Sequence, residues 1–339
     1  MVFLRMNHLI FIFVVFMNIL CSCSVFQPVD DLGESSFTAT PSTSTGNGQS
    51  IVDETMGNEE LEDEKLFDGE EEFLPVISPV FTAVATPIRG TPTPVFFEGP
   101  IVYGFSYEQR PLEAYRIGTG ASARAIIGGI HGGYEWNTVE LVNDMLTYFR
   151  ENPDLISPDT TLYIITCANP DGYAAGTSPE IARMDGNGVD LNRNWDYQWQ
   201  MTATHGMRVV SAGSYPFSEP ETAALRDFIL LNDVELVIFY HSAMGVVFSG
   251  ADRISSVTYD LAEMLSGVTG YPHQSEGVPG QITTGDSIDW LSTQGIAAAE
   301  IELSTHQLIG EDEWQKNLSG VLAFLNWSIP EPMSETGQE

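Results

Sequence analysis

Two histidines and one glutamate are of residue types that bind metals, and they lie where predicted strands and a helix would bring them to one site. His131 directly follows a predicted strand, residues 124–130, and His241 directly follows another, residues 236–240. Ligands of open α/β sheets bind at the carboxyl ends of the strands, so we expect both imidazoles at one functional edge. Glu135 comes four residues after His131, at the start of a predicted helix. Imidazole and carboxylate groups are zinc ligands, and a catalytic zinc site uses three protein ligands.

A histidine and a glutamate four residues apart do not establish a metal site by themselves. Four later segments of the sequence support it. They are Asn-Pro-Asp-Gly-Tyr at residues 169–173, Arg183, Gly-Val-Asp-Leu-Asn-Arg-Asn-Trp at residues 188–195, and Ser-Ile-Asp-Trp at residues 287–290. In this order they resemble the zinc carboxypeptidase family. The resemblance covers roughly residues 100–327 and implies an enzyme of the hydrolase class, a metallocarboxypeptidase.

The resemblance implies a role for several polar residues of these segments. Asn192 and Arg193 would hold the terminal carboxylate of a peptide substrate, and Arg183 would polarise the scissile carbonyl. These roles suit the residue types, because a guanidinium matches a carboxylate bidentately and a fixed cation stabilises a developing oxyanion. The implied cofactor is one zinc ion per chain, held by His131, Glu135 and His241.

A glutamate-leucine pair on a late predicted strand, residues 297–303, matches the family's general base. The resemblance implies that Glu302 takes a proton from the attacking water and then delivers it to the leaving amine. Glu300 lies on the same strand face, two residues earlier, and is the competing candidate. Burying a carboxylate on an apolar strand is costly, which favours a functional role for it.

One spacing departs from the family pattern. The family places its first histidine and glutamate three residues apart, whereas Glu135 follows His131 by four. Gly132 and Gly133 lie between them, and glycines permit the turn that would absorb the extra residue. If Glu135 misses the metal, Glu140 is the nearest alternative, over a turn further along the helix.

The substrate side of the site departs from the family as well. Gln281 occupies the position of a mobile tyrosine found in digestive members, and Tyr271 or Tyr134 is a possible substitute. Ile288 matches the base of the side-chain pocket, where an apolar residue would favour apolar or aromatic C-terminal side chains. Trimming of cell-wall peptides is an equally open interpretation of the sequence.

The function implied by the resemblance is zinc-dependent hydrolysis of a peptide bond near the C-terminus of extracellular peptides or cell-wall peptides. Two alternatives stay open. One is a related zinc deacylase that acts on N-acyl amino acids, and the other is a catalytically inactive lipoprotein that binds peptide termini. Residues 169–173 and 287–290 favour the peptidase, and the presence of Arg183 and Glu302 argues against an inactive protein.

Short β-rich runs alternate with longer amphipathic segments, which is typical of an α/β domain. The predicted strands are residues 112–117, 124–130, 161–166, 236–240 and 297–303, and the predicted helices are residues 136–150, 219–232, 256–266 and 311–327. Several strands are nearly all apolar, as buried central strands are. We therefore predict a three-layer α/β/α fold with a mixed, largely parallel central sheet.

Composition and charge predict one globular domain behind a tether. The formal net charge of −34 argues against a nucleic-acid-binding protein, because neutralising phosphates requires clustered lysine and arginine. Residues 24–95 are rich in Thr, Ser and Pro and then acidic, so they are predicted to be a disordered tether. Residues 96–330 form the predicted catalytic domain, and residues 331–339 a disordered tail.

The N-terminus has the layout of an export signal, residues 1–23. Its apolar run, residues 9–20, is shorter than the about 20 residues of a spanning helix. Leu20, Ser22 and Cys23 resemble a bacterial lipobox, in which cleavage leaves Cys23 as the lipid-bearing first residue. The alternatives are an uncleaved signal anchor, or an ordinary signal peptide with incidental cysteines. All three predict an exported, extracytoplasmic domain, and the first two also attach it to a membrane.

Overall fold

Eight strands form one mixed sheet in the computed structural model, which describes residues 96–250, 256–275, 277–278 and 282–330. In chain order the strands are β1 Phe97–Phe105, β2 Pro111–Ile117, β3 Ser122–Ile127, β4 Thr160–Ile165, β5 Thr202–His205, β6 Arg208–Ser211, β7 Val234–Ser242, β8 Val246–Ser249, β9 His273–Gln274 and β10 Ala297–Leu303. The sheet order is β1-β2-β4-β3-β7-β10-β8-β9, and β5 and β6 form a separate hairpin.

The predicted mixed sheet is confirmed. Strands β4, β3, β7 and β10 run parallel at its centre, β1, β2 and β8 are antiparallel to their inner neighbours, and β9 is parallel to β8. Every residue of β4 is buried, as expected for a strand with both faces covered.

Helices cover the two faces of this sheet and confirm the predicted three layers. They are α1 Trp136–Glu151, α2 Pro170–Ala174, α3 Pro220–Leu231, α4 Ser256–Thr269, α5 Ser287–Thr293 and α6 Glu311–Asn326. Apolar residues of α1, α4 and α6, such as Met145, Leu261 and Val321, form the core of one face. Residues of α3 and α5, such as Leu225 and Leu291, pack on the other face.

Side-chain alternation along β7 and β10 determines which polar groups share a face. Tyr240 and Ile301 belong to the core on the α1 side of the sheet. Because side chains alternate along a strand, His241, Glu300 and Glu302 lie on the opposite face. The two strands are paired in register, with Glu302 opposite His241. The fold thus brings these side chains to one end of neighbouring parallel strands.

Two predicted strand ends were wrong at the site. Strand β3 ends at Ile127, three residues earlier than expected, and Gly129 then turns the chain with a φ of +65°. Strand β7 continues to Ser242 because β10 pairs with it there, so His241 lies within the strand rather than after it. Strands β1, β5, β6, β8 and β9 and helices α2 and α5 were not predicted from the sequence.

Several predictions concern residues outside the described part of the chain. These are the signal with Cys23, the tether at residues 24–95, the tail at residues 331–339, and Gln281. Among the described residues, no helix combines the length and the apolar character needed to span a bilayer.

Candidate active site

His131, Glu135 and His241 converge at the carboxyl edge of the sheet. One ligand atom from each residue lies within 4.8 Å of those of the other two, and all three side chains are buried. His131 comes from the loop after β3, Glu135 precedes α1, and His241 belongs to β7. The Nδ1 atom of His241 is 3.1 Å from Oε2 of Glu135. Glu140 lies elsewhere on α1, where it accepts a hydrogen bond from Tyr173.

These three residues fit a zinc ion. Two imidazoles and a carboxylate form a donor set of the kind that catalytic zinc sites use. The Nδ1 atom of His131 is buried and has no hydrogen-bond partner within the described residues. A buried polar atom without a partner is costly in a folded protein, and a ligand of this kind would satisfy it.

The extra residue between His131 and Glu135 is absorbed by the two glycines. Gly132 adopts a left-handed conformation with a φ of +48°. A Cβ atom on Gly133 would lie only 1.7 Å from the carbonyl oxygen of Gly176. The turn therefore packs directly against the backbone that follows α2, and the glycines make this close approach possible.

Arg183 and Asp190 form an ion pair beside the candidate ligands. The Nε atom of Arg183 donates to Oδ2 of Asp190 at 2.8 Å, and its Nη1 atom is 3.6 Å from Oε1 of Glu135. Oδ1 of Asp190 is 3.7 Å from Nδ1 of His131. Carboxylates next to metal-binding imidazoles orient the rings. Sequence reasoning missed Asp190, although it lies in the same segment as Asn192 and Arg193.

Charge near the histidines acts in opposite directions on their pKa values. Burial and the guanidinium of Arg183 lower the pKa of His131 well below its ordinary value. Burial alone would also lower the pKa of His241, but the carboxylates of Glu300 and Glu135 raise it well above the ordinary range. These surroundings favour the neutral form of His131, whereas the two carboxylates favour the protonated form of His241.

Asn192 and Arg193 lie in the short segment Leu191–Arg193 and face the same cleft. The Nδ2 group of Asn192 donates to Oε1 of Glu300 at 2.9 Å and to Oδ2 of Asp286 at 3.3 Å, so its two hydrogens are already used. Arg193 donates to the carbonyl oxygens of Thr204 and Asn192. Its buried guanidinium forms no salt bridge within the described residues, but its charge acts on the buried carboxylates of Asp190, Asp286 and Glu300.

The two candidate bases on β10 have different surroundings. Glu300 is engaged by Asn192, and its Oε1 atom is 3.4 Å from Nε2 of His241. Although burial would raise the pKa of Glu300, His241 and Asn192 hold it below the ordinary value. The Oε2 atom of Glu302 is buried without a hydrogen-bond partner in the described structure. Burial and the carboxylate of Glu135 raise the pKa of Glu302 to about 8. The oxygen of Glu302 that has no partner within the described residues favours this residue as the group that exchanges protons.

The ligands, Arg193 and Glu302 line one cleft of about 750 Å³. Ile288 also lines it. Tyr134, His205 and His306 line it too, and the ring centroid of Tyr134 lies 4.7 Å from that of His306 and 6.0 Å from that of His205. Sequence reasoning missed both of these histidines. Tyr271, the other tyrosine considered for the clamping role, is buried, and its hydroxyl donates to Glu313.

Comparison with known proteins identifies the family. The family model described as zinc carboxypeptidase matches residues 100–313. Carboxypeptidase B of Astacus astacus is 32% identical over 243 residues, which are 64% of this chain and 74% of that protein. Bovine thrombin-activatable fibrinolysis inhibitor, solved in complex with tick carboxypeptidase inhibitor, has a TM-score of 0.57 at 21% identity and covers 68% of this chain and 89% of its own. The murein-tripeptide amidase of Escherichia coli O157 has a TM-score of 0.50 at 25% identity, over 72% of this chain and 96% of its own. The chain belongs to the zinc carboxypeptidase family.

Proposed function

We propose that the protein is a zinc-dependent carboxypeptidase that hydrolyses a peptide bond next to a free C-terminal carboxylate. The observation that carries this proposal is the convergence in one cleft of three parts. These are the His131, Glu135 and His241 ligand set, the partnerless oxygen of Glu302, and the guanidinium of Arg193. Membership of the zinc carboxypeptidase family supports it.

One zinc ion per chain would be held by His131, Glu135 and His241. When bound, such an ion polarises a carbonyl group and lowers the pKa of water. The protein contributes the fixed position of the ligands. The backbone N–H of Ser242 donates to Oε2 of Glu135 at 3.3 Å and helps to hold that carboxylate in place.

Arg193 binds the terminal carboxylate of the substrate. A buried guanidinium held by two backbone carbonyls is preorganised for a bidentate carboxylate contact. Asn192, which was predicted to share this role, gives both amide hydrogens to Glu300 and Asp286, so we assign it a positioning role instead. Arg183, fixed by Asp190, stabilises the negative charge that develops on the scissile carbonyl oxygen.

Glu302 moves the proton. Its free carboxylate oxygen takes a proton from the attacking water and then delivers it to the nitrogen of the leaving amino acid. Ile288 and Gln281 are the remaining proposed substrate contacts. Ile288 lines the cleft, whereas Gln281 lies outside the described residues.

The proposed substrates are peptides outside the cytoplasm, including cell-wall peptides. Similarity to a murein-tripeptide amidase supports the cell-wall possibility. We also propose, from the sequence alone, that the domain is exported and anchored through Cys23 or an uncleaved signal.

The test is zinc content together with hydrolysis by the full-length protein. We expect about one zinc per chain by elemental analysis, lost in His131→Ala and in Glu135→Ala, with benzoylglycyl peptides cleaved only when the metal is present. Glu140→Gln is the matched control, because Glu140 lies on the same helix as the site but outside the cleft. Unchanged hydrolysis after removal of the metal would refute the proposal.

A further inference from the structure

His306 lines the cleft from the loop that follows β10, and a chain of hydrogen bonds fixes its ring. Nδ2 of Asn137, on α1, donates to the carbonyl oxygen of Thr305 at 2.7 Å, so Oδ1 of the same amide is an acceptor. The hydroxyl of Ser242, on β7, donates to that Oδ1 atom at 2.9 Å. Oγ of Ser242 also lies 2.8 Å from Nδ1 of His306. Because Asn137 and Ser242 are buried, this chain anchors the imidazole to two regular elements of the fold.

This chain determines which ring nitrogen of His306 carries the hydrogen. A hydroxyl group has one hydrogen, and that of Ser242 is given to Asn137. Nδ1 of His306 is therefore the donor in its contact with Ser242. In a neutral imidazole one ring nitrogen is a donor and the other is an acceptor. The fold thus sets Nε2 of His306 as a hydrogen-bond acceptor.

The Nε2 atom of His306 is open to a ligand. It makes no hydrogen bond within the described residues, and it is not one of their buried atoms that lack a partner, so it is accessible. The ring of Tyr134 packs against the imidazole, with the two centroids 4.7 Å apart. Since Ser242 holds one edge of the imidazole and Tyr134 packs against the ring, the lone pair of Nε2 has a fixed direction. Such fixed groups are suited to positioning a substrate.

His306 lies beside the candidate zinc ligands. The backbone N–H of Ser242 donates to Oε2 of Glu135 at 3.3 Å, while the hydroxyl of the same residue accepts from His306. One residue therefore separates the imidazole from a ligand of the proposed metal. In a peptide whose scissile carbonyl lies at that metal, the nearest N–H on the upstream side belongs to the residue that supplies this carbonyl, because only the Cα atom separates the two groups.

Arg193 is connected to His306 only through a run of other residues. Its Nε atom donates to the carbonyl oxygen of Thr204 at 3.2 Å. The next residue, His205, places its ring centroid 6.0 Å from that of Tyr134, and Tyr134 in turn packs against His306. The arginine and the imidazole are thus at separate ends of this run of contacts. A terminal carboxylate bound by Arg193 therefore leaves His306 to the part of the peptide that precedes the scissile bond.

We infer that Nε2 of His306 accepts a hydrogen bond from the backbone N–H of the substrate residue that precedes the scissile bond. This inference rests on the proposed carboxypeptidase function and adds a substrate-binding residue to the same site. It also defines a substrate class. Peptides that carry this N–H are preferred, whereas substrates with proline or an ester oxygen at that position lack the donor and leave the nitrogen unpaired.

The first experiment removes the donor from the substrate. The zinc-loaded full-length protein is given a benzoylglycyl peptide and its benzoylglycolyl counterpart, in which an ester oxygen replaces the N–H and the scissile peptide bond is the same. The C-terminal residue is phenylalanine or lysine, whichever the wild type cleaves faster. Because leaving a hydrogen-bonding group without its partner is costly, we expect kcat/KM to be about 5- to 50-fold higher for the peptide. Equal or higher kcat/KM for the ester would overturn the inference.

The second experiment assigns this preference to one ring nitrogen. The amide of asparagine reaches the position of Nδ1, and that of glutamine reaches the position of Nε2. We expect His306→Asn, which keeps the contact with Ser242, to lower the peptide-to-ester ratio of kcat/KM at least about 5-fold, and His306→Gln to retain most of it. A structural defect lowers both rates alike and leaves their ratio unchanged. An unchanged ratio in His306→Asn would therefore overturn the inference. Gln307→Ala, at the exposed next position, is the control and should keep the wild-type ratio.

A binding measurement separates failure of this inference from failure of the proposed function. The zinc-loaded Glu302→Gln variant is titrated calorimetrically with the peptide and its ester counterpart. Tighter binding of the peptide, when the wild type hydrolyses neither compound, would retain the contact at His306 and refute the peptidase. Hydrolysis of both compounds with equal binding and equal kcat/KM would retain the peptidase and refute the contact. Absence of hydrolysis together with absence of binding would refute both.

Discussion

Glu300 and Glu302 show how strongly surroundings determine the role of a residue. They lie two positions apart on one strand face, yet Glu300 is held by Asn192 and lies next to His241, whereas the Oε2 atom of Glu302 is free of hydrogen bonds in the described structure. A carboxylate that is already bonded is poorly suited to accept a proton from water. These surroundings favour Glu302 over Glu300 as the group that transfers protons.

Replacing Glu302 by glutamine tests this assignment. The variant keeps the shape of the side chain but removes the group that exchanges protons, so we expect kcat to fall by about 10²- to 10⁴-fold. Zinc content and melting temperature should stay near those of the wild type. Glu300→Gln, measured with the same benzoylglycyl peptide, is the matched comparison and should lower kcat less, because Glu300 is already engaged by Asn192 and His241. If the two variants lose activity equally, the distinction between them is wrong.

At the scale of elements, the connection from β3 to α1 leaves no room for a side chain at Gly132 or Gly133. Gly132 lies against Gly172 and Tyr173 of α2, and Gly133 lies against Gly176 just after it. This close packing accommodates the additional residue between His131 and Glu135. The spacing that departs from the family pattern is thus compensated by backbone packing rather than by a different ligand.

Gly133→Ala should disturb this connection. Its Cβ would lie 1.7 Å from the Gly176 carbonyl oxygen, so the backbone must move, and we expect a loss of about 1–3 kcal/mol in unfolding free energy. Gly267→Ala is the control, because a Cβ there meets nothing within 4 Å and alanine is a better helix former. Thermal unfolding and zinc affinity are the measurements. A Gly133→Ala protein as stable as Gly267→Ala would contradict this description.

Buried carboxyl groups link the segment after Arg183 to α3. Oδ1 of Asp185 accepts hydrogen bonds from the N–H groups of Asn187 and Val189, and Asn187 in turn donates to Glu219. Burial and the carboxylates of Glu221 and Glu219 raise the pKa of Asp185 to about 8. Burial likewise raises the pKa of Glu221 to about 7. Both acids are thus protonated in the folded protein at mildly acidic pH.

This cluster predicts a loss of stability as pH rises. Between about pH 4 and about pH 8 the folded state binds a proton at Asp185 that the unfolded state has released, so its contribution to the unfolding free energy falls with increasing pH. Asp185→Asn removes that proton and keeps the acceptor oxygen. In urea unfolding, the free energy of unfolding of this variant should therefore rise relative to that of the wild type as pH increases. That of Asp144→Asn, on the exposed side of α1, should not. A difference that is constant with pH would contradict the prediction.

Sequence patterns predicted the parts of the site that lie on regular, buried elements. The apolar run that ends near His241 and the strand carrying Glu302 were recognisable because buried parallel strands have a distinctive composition. Asp286 and His205 were not predicted as site residues, since nothing local distinguishes them: Asp286 looks like an ordinary helix cap, and His205 belongs to a short exposed hairpin. The approach of Asp286 to Glu300 depends on α5 packing beside β10, a tertiary contact that no single segment encodes.

For the whole molecule, the three candidate zinc ligands come from parts of the chain that are far apart in sequence. His131 and Glu135 both lie in the connection that precedes α1, while His241 belongs to the central strand β7. In this structure the Nδ1 atom of His241 and Oε2 of Glu135 are 3.1 Å apart. A metal bound between these elements would connect the helix layer to the middle of the sheet, so its binding would stabilise the folded chain as a unit.

Zinc should therefore raise the melting temperature of the protein. A ligand that binds only the folded state stabilises it by about 2.7 kcal/mol when its free concentration is 100 times the dissociation constant. Differential scanning calorimetry with zinc, and then with a chelator, measures this shift. His241→Ala should abolish it, because the variant lacks one of the three ligands, whereas Glu140→Gln should respond to zinc like the wild type. A shift of the same size in His241→Ala would mean that zinc stabilises the protein from a different site.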